Sequence, residues 1–342
     1  MMNKWSSLEW HLRRRPVGTP TAADVALVPV TVSGPRDGQV VVRNLVLSVE
    51  PYMWGRMTGE SDYTEPFPLA APMSGHAVGE VVATATDRVP VGATVLHQAG
   101  WREYAVLDAG EVRVLTADGV PDTAWLGVLG LTGFTAWAGL LRVALCRPGE
   151  TVFVSAAAGG VGSTVVQLAK AMGCRVIASA GSDAKLSFVK DVLGADAAFS
   201  HRVDRIRDAL DRALEEAGQD GIDVYFDNVG GEQLESAIRR MREYGRIALC
   251  GAVSTYGKRT PGPRNLLLAI WRQLRLEGFL VSSHESARAE FEVAMIGALR
   301  SAAVSPVETV HQGGIEIAFE AFLAMLGGSD LGKTVVRLDQ SR

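Results

Sequence analysis

The chain has 342 residues, of which 47% are apolar and 21% charged, and its net charge is −4. That length exceeds what one hydrophobic core usually organises, so two domains of a soluble globular protein are expected. The charge balance, without a basic run, excludes the electrostatic footprint of a nucleic-acid binder, and no 18-residue apolar run suggests a membrane span.

Residues 1–16 are polar, with Arg13-Arg14-Arg15 and no apolar signal-peptide core, so a cytoplasmic protein is expected. Residues 1–125 read as β-rich. Short apolar runs (Val40-Val41-Val42, Leu45-Val46-Leu47, Val78 to Val82, Thr94-Val95-Leu96, Tyr104 to Leu107) alternate with Gly, Pro and Asp turns, the texture of a small barrel or curled sheet. Residues 38–50 fit strand, turn, strand. Near Trp125 the texture changes. "WLGVLGLTGFTAWAGLL" (125–141) is apolar at helical spacing. From there strand-like segments at 151–155, 175–179, 222–226, 246–250 and 277–281 alternate with helix-like ones at about 163–172, 184–193, 203–217, 232–241 and 263–274. That alternation implies an α/β fold, a doubly wound parallel sheet with helices on both faces. A return strand, an amphipathic helix from Ile315 to Leu326 and a last strand over 333–338 suit completion of the first domain's sheet. The three cysteines, Cys146, Cys174 and Cys250, are odd in number and widely spaced with no CxxC, which argues against a disulfide framework or a zinc knuckle.

The stretch "SAAAGGVGS" (155–163) lies between the first strand and helix of the alternating region. A dinucleotide's pyrophosphate has to approach backbone N–H groups at a helix N-terminus, and side chains obstruct it. Gly159 and Gly162 supply the second and third positions of G-x-G-x-x-G. Ala157 stands at the first, where a small residue suffices if φ stays negative. At the tip of the second strand, where NAD enzymes usually carry an acid for the ribose 2′-hydroxyl, the chain has Ala180-Gly181-Ser182, with Lys185 one turn on. That arrangement favours the 2′-phosphate of NADPH. Arg202 is a weaker candidate for the same phosphate, and Asp183 reads as a helix N-terminal residue.

Together these residues resemble the zinc-independent medium-chain dehydrogenase/reductases, in the prostaglandin reductase and alkenal double-bond reductase group. The motifs that carry the resemblance, in order, are "VEPYMWGRM" (49–57), "AAAGGVGS" (156–163), "AGSDAK" (180–185), "DVYFDNVGGE" (223–232), "LCGAVSTY" (249–256), "EGFLVS" (277–282) and "LGKTVV" (331–336). The resemblance implies a GroES-like β domain from residues 1–125 and 305–342, and a Rossmann domain from residues 126–304 that binds NADPH. It implies metal-independent reduction of the C=C bond of α,β-unsaturated ketones and aldehydes. Carried over residue by residue, the phosphate loop falls on Gly159, Gly160, Val161 and Gly162. The 2′-phosphate site falls on Gly181, Ser182 and Lys185, and the D-N-V-G asparagine on Asn228. The fifth-strand segment falls on Cys250, Gly251, Ala252, Val253, Ser254, Thr255 and Tyr256, and the carboxamide contact on Phe279, Leu280 and Val281. Three positions depart from the pattern. His201 replaces a tyrosine at the 2′-phosphate, Asp330 replaces an asparagine near the cofactor, and Trp54 replaces the arginine of P-Y-M-R.

His76 of "SGHAVGE" looks like the zinc histidine of related dehydrogenases, but no cysteine precedes Cys146 and Ala77 stands where their glutamate would be. Zinc needs about three protein ligands, so no metal is expected. Conjugate reduction requires a hydride at the β-carbon, a hydrogen-bond donor for the developing enolate and a proton at the α-carbon. Tyr256 is the first candidate donor and Tyr52 the second, with water or a relay through the cofactor ribose left open. The same residues also fit an NADPH-dependent quinone reductase, which needs no acid, and a protein that binds NADPH without turnover. A homodimer through Rossmann sheet edges at 277–283 is expected. Leu266 to Trp271 reads either as a substrate-tail lining or, preferably, as a buried helix face.

Overall fold

The computed structural model describes residues 4–59, 64–116, 119–203, 205–255 and 261–338. In chain order the N-terminal strands are β1 (Lys4–Leu12), β2 (Val25–Ser33), β3 (Gln39–Ser48), β4 (Ala77–Thr84), β5 (Thr94–His97), β6 (Tyr104–Asp108) and β7 (Arg113–Val114). Then come β8 (Thr151–Val154), β9 (Arg175–Ala180), β10 (Ala197–Ser200), β11 (Ile222–Asp227), β12 (Met241–Leu249) and β13 (Arg275–Gly278). The chain closes with β14 (Glu308–Gln312) and β15 (Lys333–Arg337). It divides into two compact units, Met1–Leu126 with Glu308–Asp330 and Thr334–Arg342, and Gly127–Val307 with Leu331–Lys333.

In the first unit β14, β15, β3, β4, β5 and β7 lie in that order in one sheet, β6 pairs with β3, and β1 and β2 form an antiparallel pair of their own. The structure joins residues that the sequence reading separated. Residues 39–48 form one strand, not strand, turn, strand. Arg43-Asn44 reads as a turn because both side chains are polar. Instead Arg43 pairs with Glu80 across β4, while the buried Asn44 amide donates to Ala99 O (3.1 Å) and Arg102 O (2.8 Å). The ladder absorbs the irregularity as register shifts at Val41/Val42 and Asn44/Val46. The C-terminal tail belongs to this unit because aromatic packing and one buried donor hold it there. Phe319 packs at a tilt against Trp10, Phe322 meets the edge of Trp101, and Trp10 Nε1 donates to Ile315 O at 2.7 Å.

In the second unit the strand order is β10-β9-β8-β11-β12-β13, which numbered within the unit is 3-2-1-4-5-6. All its pairings are parallel. Such a sheet is covered on both faces, and all four residues of β8 are accordingly buried. β10 interrupts the expected 175–179 to 222–226 interval. Its sequence, Ala-Ala-Phe-Ser, has little intrinsic strand signal and is held by pairing with β9. Among the helices, α1 (Tyr52–Thr58) is in the first unit. The second unit holds α2 (Leu131–Trp137), α3 (Gly160–Ala171), α4 (Asp183–Ser187), α5 (Ile206–Glu216), α6 (Gly231–Arg240), α7 (Leu267–Trp271) and α8 (Arg288–Arg300). α9 (Ala318–Gly327) returns to the first unit. α5 buries Ile206, Ala209, Leu210, Ala213 and Leu214, the i, i+3, i+4 stripe that docks a helix on a sheet. No described helix is long and apolar enough to cross a membrane.

The preferred reading of residues 266–271 as a buried helix face is overturned. α7 has no buried residue, and Leu266, Leu267, Ile270 and Trp271 are 50–72% exposed. The helix spans only five residues, too short for apolar periodicity to report which way a face points.

Candidate functional site

The strand order reverses between β8 and β11, which is where an open α/β sheet places its ligand at the carboxyl ends of the strands. After β8 the chain turns sharply. Ala156 takes φ +49°, a left-handed conformation rare for a residue with a side chain. Ala157 is outside the positive-φ set, and its N–H donates to Ser179 O at 2.9 Å. The residue at the missing-glycine position is therefore unstrained, and the strain lies one position earlier. Gly159 caps α3 in extended conformation (φ −88°, ψ 175°). A Cβ on Gly162 would come within 2.3 Å of Ala156 O and 2.8 Å of Ala157 Cα, so only glycine lets α3 start this close to the turn. Gly160 packs against Gly332 and Lys333, and Gly332 N donates to Ala158 O at 2.8 Å. The first N–H groups of a helix have no intrahelical acceptor, so residues 160–162 offer the donors that a pyrophosphate takes.

At the tip of β9, Ser182 caps α4 by accepting from Lys185 N at 3.4 Å, with Asp183 in the first turn. A Cβ on Gly181 would meet His201 Cε1 at 3.0 Å and Arg202 Nε at 3.5 Å, so both basic side chains lie over its backbone. Burial, then the Arg202 charge, pushes the His201 pKa below its ordinary value. Lys185 adds to the depression, and the Ala180 backbone opposes it. His201 Nδ1 is buried with no hydrogen-bond partner among the described residues. His201 and Arg202 thus lie over a strand tip, Ala180-Gly181-Ser182, that carries no acid, with Lys185 near enough to act on the His201 charge. Arg202, the weaker sequence candidate, also reaches this tip, half an ångström farther out than His201.

Between these loops a polar knot pins the strand tips together. Asp227 Oδ1 accepts from Tyr225 OH (2.7 Å), Gly230 N (2.8 Å), Val229 N (2.9 Å) and Ser155 Oγ (3.3 Å). Burial nevertheless raises the Asp227 pKa against these donors. Asn228 donates through Nδ2 to Ser155 O at 2.7 Å, tying β11 to β8. The main chain of Asp227 accepts from Cys250 N and Gly251 N, and Val253 N and Ser254 N donate to Asn228 O and Val229 O. This folds residues 250–254 onto the D-N-V-G turn, with Val253–Thr255 as a short 3-10 turn. Burial and Asp227 push the Cys250 thiol up to about 12. Phe279 follows β13, with its N–H on Leu249 O and its ring edge-on to Phe226, while Leu280 is half-exposed and Val281 opens a 3-10 turn. Tyr256 lies outside the described residues.

In the first unit, Tyr52 opens α1. Burial first, and then the charge of Glu50, raises the Tyr52 pKa, with Arg56 pulling the other way, so the phenol keeps its proton. Arg56 is fixed by Glu65 O, Ser74 Oγ and the Phe67 ring. The Trp54 indole donates to Gly18 O at 3.0 Å. Burial raises the Asp330 pKa, but donors from His311 (3.0 Å), Thr334 (2.7 Å) and Ser329 (2.8 Å) outweigh it and hold the carboxylate below its ordinary range. His76 O accepts from Ser48 N, and among the described residues no cluster of three or more His, Cys, Asp or Glu stands ready for a metal.

Residues 8–115 match the family model described as the N-terminal domain of oxidoreductase, and residues 160–298 match that described as zinc-binding dehydrogenase. The chain is 36% identical to the NADP(+)-dependent 2-alkenal reductase of Nicotiana tabacum, over 99% of this chain and 100% of the relative. It is 37% identical to prostaglandin reductase 1 of Rattus norvegicus, over 96% and 98%. The crystal structure of CurA in complex with NADPH from Vibrio vulnificus superposes with a TM-score of 0.90 at 35% identity, covering 98% of this chain and 100% of that one. The chain belongs to the zinc-independent medium-chain dehydrogenase/reductases. Within that family its fold is a GroES-like domain joined to a Rossmann domain, as the motifs implied.

The family motifs pointed to the loop, the β9 tip and the D-N-V-G turn, but they left Asp227, Ser155 and Gly332 without roles. Asp227 and Gly332 stand inside quoted motifs, and that position was the available signal. Ser155 opens the quoted stretch 155–163, but its role depends on a partner 72 positions away. Replacing Gly162 by Ala is expected to weaken NADPH binding by about tenfold or more, equivalent to about 1.4 kcal/mol, because Ala156 O has to move. Fluorescence titration with NADPH measures this, and unchanged affinity would refute the close-approach argument.

Proposed function

We propose that the protein is an NADPH-dependent, metal-independent double-bond reductase acting on α,β-unsaturated ketones and aldehydes. The first unit is read as the catalytic GroES-like domain and residues 126–304 as the cofactor domain. The observation that carries the cofactor choice is the convergence of Lys185, His201 and Arg202 on an acid-free strand tip. The reaction is that named for the relatives. The residues fit the cofactor on two counts, the start of α3 close to the β8 turn that glycine at 162 permits and the His201 and Arg202 side chains lying over Gly181 at the β9 tip.

NADPH, when bound, supplies the hydride for the β-carbon of the enone. The amides of Gly160, Val161 and Gly162 bind the pyrophosphate, with Gly159 giving it room. Gly181, Ser182, Lys185, His201 and Arg202 hold the 2′-phosphate. Asn228 and residues 250–255 shape the floor, and the main chain of Phe279, Leu280 and Val281 orients the carboxamide. Asp330 orders the segment Ser329–Thr334 as a fixed acceptor. Tyr256 donates to the developing enolate oxygen. Tyr52, kept protonated by burial and Glu50, is the second donor. A homodimer forms through the edge strand β13 and the exposed apolar face of α7, which is otherwise costly to leave in water.

Removing Lys185 or Arg202 as Ala is expected to raise the Kd of NADPH by about 10- to 100-fold, the range of a charge-assisted hydrogen bond, and to leave NADH nearly unchanged. A phosphate bound beside His201 raises a pKa that the free protein depresses. NADPH binding therefore takes up a proton, and affinity rises as pH falls through the bound-state pKa. Calorimetry in buffers of different ionisation enthalpy reads this, and His201→Gln removes it; proton uptake that survives the substitution overturns the assignment. Tyr256→Phe is expected to lower enone turnover about 100-fold with NADPH affinity kept, whereas full turnover on enones, or loss-free reduction of quinones in preference to enones, sinks the reading. Ile270→Lys is expected to shift the species seen by light scattering from dimer to monomer, and a wild-type monomer would remove the dimer proposal.

A further inference from the structure

Cys146 and Cys174 stand 28 positions apart, yet their sulfurs lie 3.8 Å from each other, both unoxidised. Each is held by its backbone. Cys146 N donates to Leu140 O and Cys174 N to Ala169 O, both at 3.0 Å, and Gly173 before Cys174 takes φ +73°. Between them in space lies the turn from Arg147 to Glu150, whose Gly149 takes φ +83°. Arg147 O sits 3.3 Å from Cys174 Sγ and 3.8 Å from Cys146 Sγ. The hydrogen bond from Cys146 leads in pulling the Cys174 thiol down to about 7, burial opposes it, and the amides of Gly149 and Glu150 assist. The same sharing pushes Cys146 up. Two buried thiols that share one hydrogen bond at 3.8 Å form a pair whose oxidation closes on itself.

We propose that Cys146 and Cys174 are a reversible oxidation site that closes to an intramolecular disulfide on exposure to hydrogen peroxide. The Cys174 thiolate attacks one peroxide oxygen, forming S–O as O–O breaks, and the leaving hydroxide takes a proton to become water. Cys146 then loses its proton as its sulfur attacks Cys174, forming S–S and releasing the second water. Two thiols are oxidised and one peroxide is reduced. The sulfurs have to close from 3.8 Å to about 2.0 Å. The ring so closed contains β8, the loop with Gly159 and all of α3, so the bond clamps both ends of the cofactor loop's supporting elements. The third thiol, Cys250, is pushed up to about 12 by burial and Asp227 and stays reduced.

The test treats the full chain with hydrogen peroxide at neutral pH, alkylates it after unfolding, and reads intact mass and peptide map. A loss of 2 Da, a Cys146–Cys174 cross-linked peptide, an alkylated Cys250, reversal by dithiothreitol and a melting temperature raised by a few degrees support the proposal. Cys146→Ser is expected to abolish the 2 Da loss and leave a sulfenic acid on Cys174 that dimedone traps. Three alkylatable thiols after peroxide, a disulfide through Cys250 or between chains, or a Cys146→Ser protein that oxidises like the wild type overturns it.

Discussion

The close approach of the Gly162 backbone to the Ala156 carbonyl is the constraint on which the cofactor half of the molecule depends. Any side chain at 162 would lie 2.3 Å from that oxygen. Because none is there, α3 begins after only the short turn of residues 155–159 that follows β8. The turn holds Ala156 in a left-handed conformation that costs on the order of 1 kcal/mol for a non-glycine residue. Alanine is tolerated because the neighbouring bonds, Ala157 N to Ser179 O and Gly159 N to Ala156 O, over-determine the path. The expected demand for glycine at the first fingerprint position is met by moving the strain one residue upstream.

A second layer keeps this turn from drifting. Asp227 gathers four donors on one oxygen while its other oxygen is buried with no partner among the described residues. A buried carboxylate is expensive, and the raised pKa shows that the donors do not fully offset desolvation. What the arrangement provides is position. Ser155 at the end of β8, the D-N-V-G turn after β11 and the Cys250–Gly251 main chain after β12 are all referenced to one residue. Side-chain networks of this kind specify a unique geometry more than they add stability.

The charge pattern follows from the same economy of placement. At the β9 tip burial first, and then the charges of Arg202 and Lys185, disfavour the charged form of His201. At Asp330 the reverse holds. A carboxylate replaces the asparagine expected from the family, and its three donors, His311, Ser329 and Thr334, saturate it within its own unit. The substitution is accommodated because an ionised carboxylate accepts from all three without needing to donate.

The sequence alone determined the class of fold and the cofactor loop, because both are written in local patterns. Continuous apolar strands alternate with amphipathic helices, and glycines stand where a backbone has to come close. Family motifs in the right order determined the kinship. Local pattern failed where partners are distant. It broke β3 at Arg43-Asn44, because the Ala99 and Arg102 carbonyls that satisfy Asn44 are more than fifty residues away. It passed over β10, which only its neighbour β9 makes a strand. It buried α7, whose five residues are too few to show a direction. It saw Cys146 and Cys174 as unrelated, since spacing along the chain says nothing of distances in the fold. Those matters were decided by tertiary structure alone, because hydrogen bonding, burial and charge depend on which atoms meet, and the parallel crossovers of this fold bring together atoms far apart in the chain.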